Sequence, residues 1–315
     1  MLKASFSVLS VRNLVSGLCL LIFWANPVPA QTNETNSADY SFMVAGDMRG
    51  FLTSDKPGKR YFDGACEAMK RVGPGAFLLS PGDCDAAAAT RAVMDQFLGS
   101  NYLWYPLVGN HDAEKPANLA WFHQWAKAGI PHLVRSGPAG SEETTFSFDY
   151  GNSHFILLDE YFDGHVTSAA NSADIGGTTL AWLEQDLAAT RQPVIWVSGH
   201  KPIESLPDMD TGYVRHAGES ITANAVRREQ FLELLRKYHV RGYICGHTHN
   251  SSIAKVKGVW QLDSGHSRGG HINPKTESPS TFLKVHVTGA RVAVDVYRAD
   301  NDGLEYKLTR TVVVE

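Results

Sequence analysis

Apolar residues along the chain fall into short runs separated by glycine-rich turns. Residues 40–46 (YSFMVAG), 76–80 (AFLLS) and 103–108 (LWYPLV) are compact apolar stretches that read as buried strands. Between them, residues 62–72 and 86–98 carry apolar positions at helical spacing, and the first of these stops at Gly73-Pro74-Gly75. Residues 117–128 predict another helix. Strand and helix alternating in short units imply an α/β architecture with a substantial parallel component.

A different pattern follows. Residues 144–150 (TTFSFDY) and 153–159 (SHFILLD) flank Gly151-Asn152, which predicts a β-hairpin. Helices are predicted over 180–189 and 227–238, and strands over 193–197 (PVIWV) and 242–245 (GYIC). The C-terminal part is rich in strands, at 258–262, 281–287, 291–298 and 306–314. These are expected to form a second sheet. The predicted fold is therefore α/β, with two mixed β-sheets packed as a sandwich and helices on the outside. No repeat or linker interrupts residues 40–315, which read as one domain.

The N-terminus has another character. Lys3 and Arg12 precede an apolar run at residues 14–25 (LVSGLCLLIFWA), and Val28-Pro29-Ala30 supplies small residues before Gln31. This is the pattern of a secretory signal peptide over residues 1–30, so the chain is expected to be exported, to a periplasm or beyond the cell. Residues 31–39 read as a flexible polar lead-in. No other segment reaches the roughly 18 apolar residues of a membrane span, so none is expected in the mature chain.

Composition narrows the classes. Hydrophobic residues make up 43% and charged residues 20%, which supports a large core and excludes disorder as the main state. A net charge of -4 provides no basic footprint, and duplex nucleic acid is not an expected partner. Beyond the signal segment, Cys66, Cys84 and Cys245 are too few for a disulfide scaffold and read as small buried residues.

The chemistry lies in five motifs at predicted strand ends. They are Gly46-Asp47, Gly82-Asp83, Gly109-Asn110-His111-Asp112, Gly199-His200 and Gly246-His247-Thr248-His249. Open α/β sheets gather ligands at the carboxyl ends of their strands, so these loops can converge. Each glycine is expected to let the backbone turn sharply. Carboxylate, amide and imidazole donors suit zinc, iron, manganese or cobalt.

In order and spacing these blocks resemble the calcineurin-like metallophosphoesterase family, which includes the purple acid phosphatases. The resemblance covers residues 46–249 and implies two divalent or trivalent metal ions, iron, zinc or manganese. Asp83 would bridge them, with Asp47 and His249 on the first ion and Asn110, His200 and His247 on the second. A hydroxide held between the ions would attack phosphorus. His111 would protonate the leaving group, oriented by Asp112. The implied substrate is a small phosphate ester.

One departure stands out. The family places a histidine two residues after the first aspartate, and here that position is Arg49, which cannot ligate a cation. The purple acid phosphatases lack that histidine too, but carry a tyrosine three residues after the bridging aspartate, where this chain has Ala86. The first ion is thus expected to be held by three protein groups and to be weaker. Arg49 reads either as a clamp on the phosphoryl group or as a salt-bridge partner. Asp85 reads as a helix N-cap, with reach to the metal as the alternative.

His266 and His271, in SGHSRGGH, read as structural or surface histidines. Residues 203–224 lack periodicity and follow the His200 turn, so they are expected to cover the site, with residues 161–177 as another wall. Asn250-Ser251-Ser252 is a glycosylation sequon, but a glycan there would crowd the motif, which points to a bacterial exported protein. The leading functional reading is an exported phosphatase. The alternatives are a phosphodiesterase for nucleotides or phospholipid head groups, and a binding protein that keeps the fold without turnover.

Overall fold

A computed structural model describes residues 39–53, 60–168, 173–221, 224–269, 278–300 and 305–315. Residues 1–38, with the signal-peptide segment and all but the last residue of the lead-in, lie outside the described residues, as does His271.

The first half alternates as the pattern predicts. β1 (Asp39–Val44), α1 (Phe62–Arg71), β2 (Phe77–Ser80), α2 (Ala87–Leu98) and β3 (Leu103–Pro106) are followed by the short α3 (Asn110–Ala113) and by α4 (Pro116–Lys127). β4 (Leu133–Ser136) then leads into the hairpin of β5 (Phe146–Tyr150) and β6 (Ser153–Leu157). Next come α5 (Gly177–Ala189), β7 (Val194–Ser198), α6 (Ala225–Lys237), β8 (Gly242–Cys245), β9 (Ser251–Val256) and β10 (Val259–Ser264). β11 (Thr281–Thr288), β12 (Arg291–Ala299) and β13 (Tyr306–Val314) complete the chain.

Two mixed sheets result. The six-stranded sheet runs β13-β12-β11-β1-β2-β3, and the seven-stranded sheet runs β4-β5-β6-β7-β8-β10-β9. This corrects the expected placement of the C-terminal strands. β11 to β13 do not open a second sheet but extend the first, because β11 pairs antiparallel with β1 in the register Phe42↔Val285. The alternation of β11 explains the choice. Leu283, Val285 and Val287 face the core between the sheets, while Phe282 faces the outer cluster. The second sheet is instead built from residues 133–264. β4, β9 and α3 were not expected. β4 and β9 are edge strands that mix apolar with polar residues, so they lack the continuous apolar run of a buried strand.

The inner faces of the sheets meet in an aromatic core. Phe42 stacks on Phe77 with ring centroids 5.0 Å apart, Phe77 meets Phe155 edge-on at 5.3 Å, and Tyr105 stacks on Phe148 at 3.6 Å. Such pairs contribute about 0.5–1.5 kcal/mol each beyond their burial. Outside the first sheet, Phe62, Met69, Met94 and Phe122 of the helices pack on Met43, Leu78 and Trp104. Outside the second, Leu183, Phe231 and Leu235 pack on Ile156, Ile195 and Val197. Cys66, Cys84 and Cys245 are unpaired and buried in these outer layers. No described helix is long and apolar enough to cross a membrane.

A buried ion pair fastens α5 to the hairpin. The ring of His154, on β6, reaches Asp149 at 2.6 Å through Nδ1 and Asp186, on α5, at 2.9 Å through Nε2. Burial opposes the charged ring, but the two carboxylates outweigh it and raise its pKa to about 9. A raised pKa in the folded state stabilises fully below the ordinary imidazole value and is lost as pH rises through about 9. Wild type should therefore lose on the order of 2 kcal/mol between pH 6.5 and 10 relative to His154→Gln. Denaturant unfolding of both proteins across that range measures the difference, and parallel curves would rule the ion pair out.

Candidate metal centre

Strand ends from both sheets bring the motif loops together. The amide of Asp47 donates to Gly82 O at 3.1 Å and that of Arg49 to Asp83 O at 3.1 Å, which joins the loops after β1 and β2. The amide of His111 donates to Asp83 Oδ1 at 3.0 Å, which adds the loop after β3. The amide of Gly246 donates to His200 O at 2.9 Å, joining the loops after β7 and β8. The two groups of loops are tied across the sheets. His247 donates its amide to Asp47 Oδ2 at 2.9 Å, and His200 Nδ1 donates to Pro81 O at 2.8 Å.

Among the motif glycines, Gly82 takes the sharp turn expected of it, with φ of 100°. At the other loops the left-handed backbone falls on the candidate ligand residues themselves, with φ of 55° at Asp47, 54° at Asp83, 68° at His247 and 61° at His249. Such conformations cost about 1–3 kcal/mol each and persist only where surrounding contacts enforce them. Several motif glycines are needed for closeness, two of them beside carboxylates of the centre. A Cβ at Gly109 would lie 2.3 Å from Asp83 Oδ1, and one at Gly246 would lie 2.3 Å from Asp47 Oδ2. Each leaves room for a carboxylate of the neighbouring loop.

The proton positions follow from the partners. Pro81 O can only accept, so the proton of His200 is on Nδ1 and its Nε2 presents a lone pair. His247 Nε2 lies 2.8 Å from Glu219 Oε2. Burial tends to raise the Glu219 pKa, but hydrogen bonds from His247 and His216 hold it at about 2. The ionised carboxylate takes the Nε2 proton of His247, and Nδ1 is left as a lone pair. His200 Nε2 lies 3.1 Å from Asn110 Oδ1, 3.3 Å from His247 Nδ1 and 3.5 Å from Asp83 Oδ1. Four acceptor atoms thus face one another with no proton among them. Acceptors cannot satisfy acceptors in a buried site, and a cation fits that gap. Burial and, next, the neighbouring His200 push His247 down to about 3, which favours the neutral, ligating imidazole.

The set for a first ion is thinner. Asp47 Oδ1 is buried with no hydrogen-bond partner and lies 3.4 Å from His249 Nε2. Burial tends to raise the Asp47 pKa, but His249 outweighs it and holds the group well below the carboxylate range. Asp83 is pushed up to about 7 by burial and by the charge of Asp47. A cation between these carboxylates would offset that repulsion. His249 fits less well. Its Nδ1 is engaged by Arg215 and, at 3.0 Å, by Arg268 Nη2. Guanidinium groups only donate, so in this arrangement the His249 proton is on Nε2, the nitrogen that faces Asp47.

The remaining expected residues separate. His111 sits at the mouth, with Nδ1 2.8 Å from Glu114 Oε2 and Nε2 3.9 Å from Asp83 Oδ2. Asp112 does not orient it, which corrects that expectation. Its fully buried carboxylate accepts from the amides of Gly109 at 2.9 Å and Cys84 at 3.2 Å, and from Asn118 Nδ2 at 2.6 Å. One residue beyond His111 on α3, it points back into the loops, and Glu114 on the next turn reaches the ring. Arg49 Nε lies 3.7 Å from Asp85 Oδ1, so its direct partner is a carboxylate. Asp85 is not an N-cap. Ala86 holds that position without a side-chain bond, and Asp85 pairs with Lys115 and Arg49.

His266 is buried and donates from Nε2 to Ser278 O at 2.8 Å, beside the ring of His249 at 5.6 Å. Asn250 is fully buried and its Oδ1 accepts from Ser278 at 3.0 Å, so the sequon has no room for a glycan. Glu114, Arg215, His216 and Glu219 were missed. The last three stand in the stretch VRHAGES, whose charge and lack of periodicity were the only signal. The described part of the 203–224 loop does lie over the centre, through Arg215 on His249 and Glu219 on His247.

The sequence model of the calcineurin-like phosphoesterase family matches residues 40–251, which spans every one of these loops. The chain belongs to that family. Among calcineurin-like phosphoesterases it is similar to tartrate-resistant acid phosphatase type 5 of Oryctolagus cuniculus, with 27% identity over 202 residues, 59% of this chain and 56% of that protein. The same phosphatase of Homo sapiens is 26% identical over 203 residues, 58% of this chain and 55% of that protein. The match thus spans about half the length of these relatives. Among solved structures, PhoD superposes with a TM-score of 0.55 at 11% identity, covering 89% of this chain and 73% of that one. GAP50, the anchor in the inner membrane complex of Plasmodium, gives 0.51 at 14%, covering 88% of both. These structures share the two-sheet fold.

The close approach at Gly109 and Gly246 is testable. Gly246→Ala should displace Asp47 and lower bound metal at least tenfold at a fixed free-metal concentration, while the chain stays folded. Elemental analysis together with circular dichroism checks both. Undiminished metal content would show that the carboxylate does not need that space.

Proposed function

We propose that this chain is an exported, metal-dependent phosphoesterase that hydrolyses small phosphate esters, with monoesters as its main substrates. The observation that carries the reading is the meeting of four unprotonated acceptor atoms from Asp83, Asn110, His200 and His247. Asp47, Asp83 and His249 would hold a second cation, more weakly. When bound, the cations supply Lewis acidity toward phosphoryl oxygens and the positive charge that the buried carboxylates lack. Similarity to acid phosphatases supports monoesters over diesters. The pattern of residues 1–30 supports export.

The chain's own residues divide the remaining work. Glu219 holds the ring of His247 and Pro81 that of His200, so that both turn a lone pair inward. Asp112 binds the loops after β2 and β3 into one unit. His111 is partly exposed at the mouth, and Glu114 holds its ring through Nδ1, so that Nε2 can give a proton to the leaving oxygen. Arg49, through its pairing with Asp85, places a positive charge near Asp83.

Two outcomes are expected. His200→Ala and Asn110→Ala should lose metal and phosphate-ester hydrolysis together, by about 10²-fold or more, as should chelator treatment of the wild type. Full turnover by metal-stripped protein would overturn the reading, and faster turnover of diesters than of monoesters would reassign the site to a phosphodiesterase. His111→Ala should lower kcat for alkyl phosphates by about 10²–10⁴ and for nitrophenyl phosphate far less, since an acidic leaving group needs no proton. Equal losses on both substrates, with metal content unchanged, would remove His111 from that role.

A further inference from the structure

The residue after His200 is held by two side chains that no step above uses. Glu160 follows β6 and Tyr243 lies on β8, and both are buried. Glu160 Oε2 accepts from the Lys201 amide at 2.8 Å. The hydroxyl of Tyr243 lies 2.6 Å from Glu160 Oε1 and 2.7 Å from Lys201 O. The other polar atom of the same peptide is bound as well, because His200 O accepts from the Gly246 amide at 2.9 Å. The His200–Lys201 peptide is thus pinned at both its hydrogen-bonding groups. Gly199 makes this possible. A Cβ there would lie 2.0 Å from Glu160 Oε1 and 2.2 Å from Tyr243 Oη, so the glycine before His200 keeps open the place where the two side chains meet.

Counting protons decides the state of Glu160. A hydroxyl carries one proton and cannot donate fully to two acceptors. If Tyr243 gave that proton to an ionised Glu160, Lys201 O would face a second oxygen at 2.7 Å with no proton between them. A protonated Glu160 removes the conflict: its Oε1 donates to Tyr243 Oη, and Tyr243 donates to Lys201 O. Among the described residues no cation pairs with Glu160, and the Lys201 ammonium turns instead to Glu219 at 3.4 Å. A buried carboxylate without a counter-ion is costly, and burial pushes the group up to about 7 against the bonds from Tyr243 and the Lys201 amide. We propose that protonated Glu160 and Tyr243 form a relay that positions His200 for the second cation. This rests on the metal-dependent reading above. Both are positioning residues, since they act through the Lys201 backbone and not on the cation.

The test uses manganese binding by equilibrium dialysis. Glu160→Gln copies the protonated side chain, because its amide nitrogen can donate to Tyr243 and its oxygen can accept from the Lys201 amide. This variant should keep the wild-type affinity to within about twofold, whereas Tyr243→Phe and Glu160→Ala should each weaken it by about tenfold to a hundredfold, the scale for groups that orient a metal ligand. An affinity in Glu160→Gln as low as in Glu160→Ala would show that the ionised form is needed and overturn the relay. Wild-type affinity in Tyr243→Phe would overturn the positioning role.

Two measurements on chelator-treated protein separate this from the hydrolytic reading. In Tyr243→Phe, hydrogen exchange at the amides of Lys201 and Gly246 should rise by about tenfold or more, while the amides of β1 and β2 keep their wild-type rates. A uniform rise across the sheets would mark a general loss of stability and overturn the assigned role. At about pH 6, the infrared difference between wild type and Glu160→Gln should carry the carbonyl stretch of a protonated carboxyl. Carboxylate stretches in its place overturn the relay, even if the other variants do not fold. Wild type that takes up no manganese would overturn the metal-dependent reading, and the exchange pattern would then still decide whether the relay clamps the His200 turn.

Discussion

The centre depends on an electrostatic constraint: carboxylate, amide and imidazole lone pairs are buried together with no proton to share. His200 and His247 each spend their one proton on a partner outside the centre, Pro81 O and Glu219 respectively. That choice sets both tautomers and leaves acceptors of Asn110, His247 and Asp83 within 3.1–3.5 Å of His200 Nε2. Without a cation such an arrangement is repulsive, and the polar groups of a packed core do not remain unpaired without cause. The surrounding fold has to hold these atoms against their own repulsion.

That holding force comes from the sandwich. Its aromatic core fixes the two sheets relative to one another, and the helices fix the outer faces. The loops after β1, β2 and β3 arrive from one sheet and those after β7 and β8 from the other. Backbone hydrogen bonds knit each group, and only a few bonds cross between them. Positive φ at four ligand residues is the conformational cost of this convergence. Absent Cβ atoms at Gly109 and Gly246 leave the space into which the carboxylates of the adjoining loops fit.

The two candidate metal positions are unequal, for a reason written in charge. The second is framed by Asp83, the Asn110 amide and two imidazoles, with the ionised Glu219 behind His247. The first is bordered by Arg49, Arg215 and Arg268, and the imidazole of His249 faces two guanidinium groups. Where the family pattern has another ligand, this chain has positive charge.

The order of the motifs and their position at strand ends were legible in the sequence, because short apolar runs stopped by glycine mark where a strand must yield to a loop. The sandwich class and nearly all elements followed from periodicity, which is a local property. Three decisions belonged to the tertiary structure. The C-terminal strands joined the first sheet because β1 and β11 share a hydrogen-bonding edge across some 240 residues of chain, and no local pattern records that pairing. Asp112 and Glu114 exchanged the role expected of Asp112, since only the path of α3 decides which carboxylate reaches the ring of His111. Arg215, His216 and Glu219 entered the centre from an aperiodic loop, where charge was visible but direction was not. Residue type states what a side chain can donate or accept; which partner it meets depends on distances that exist only after the two sheets have packed.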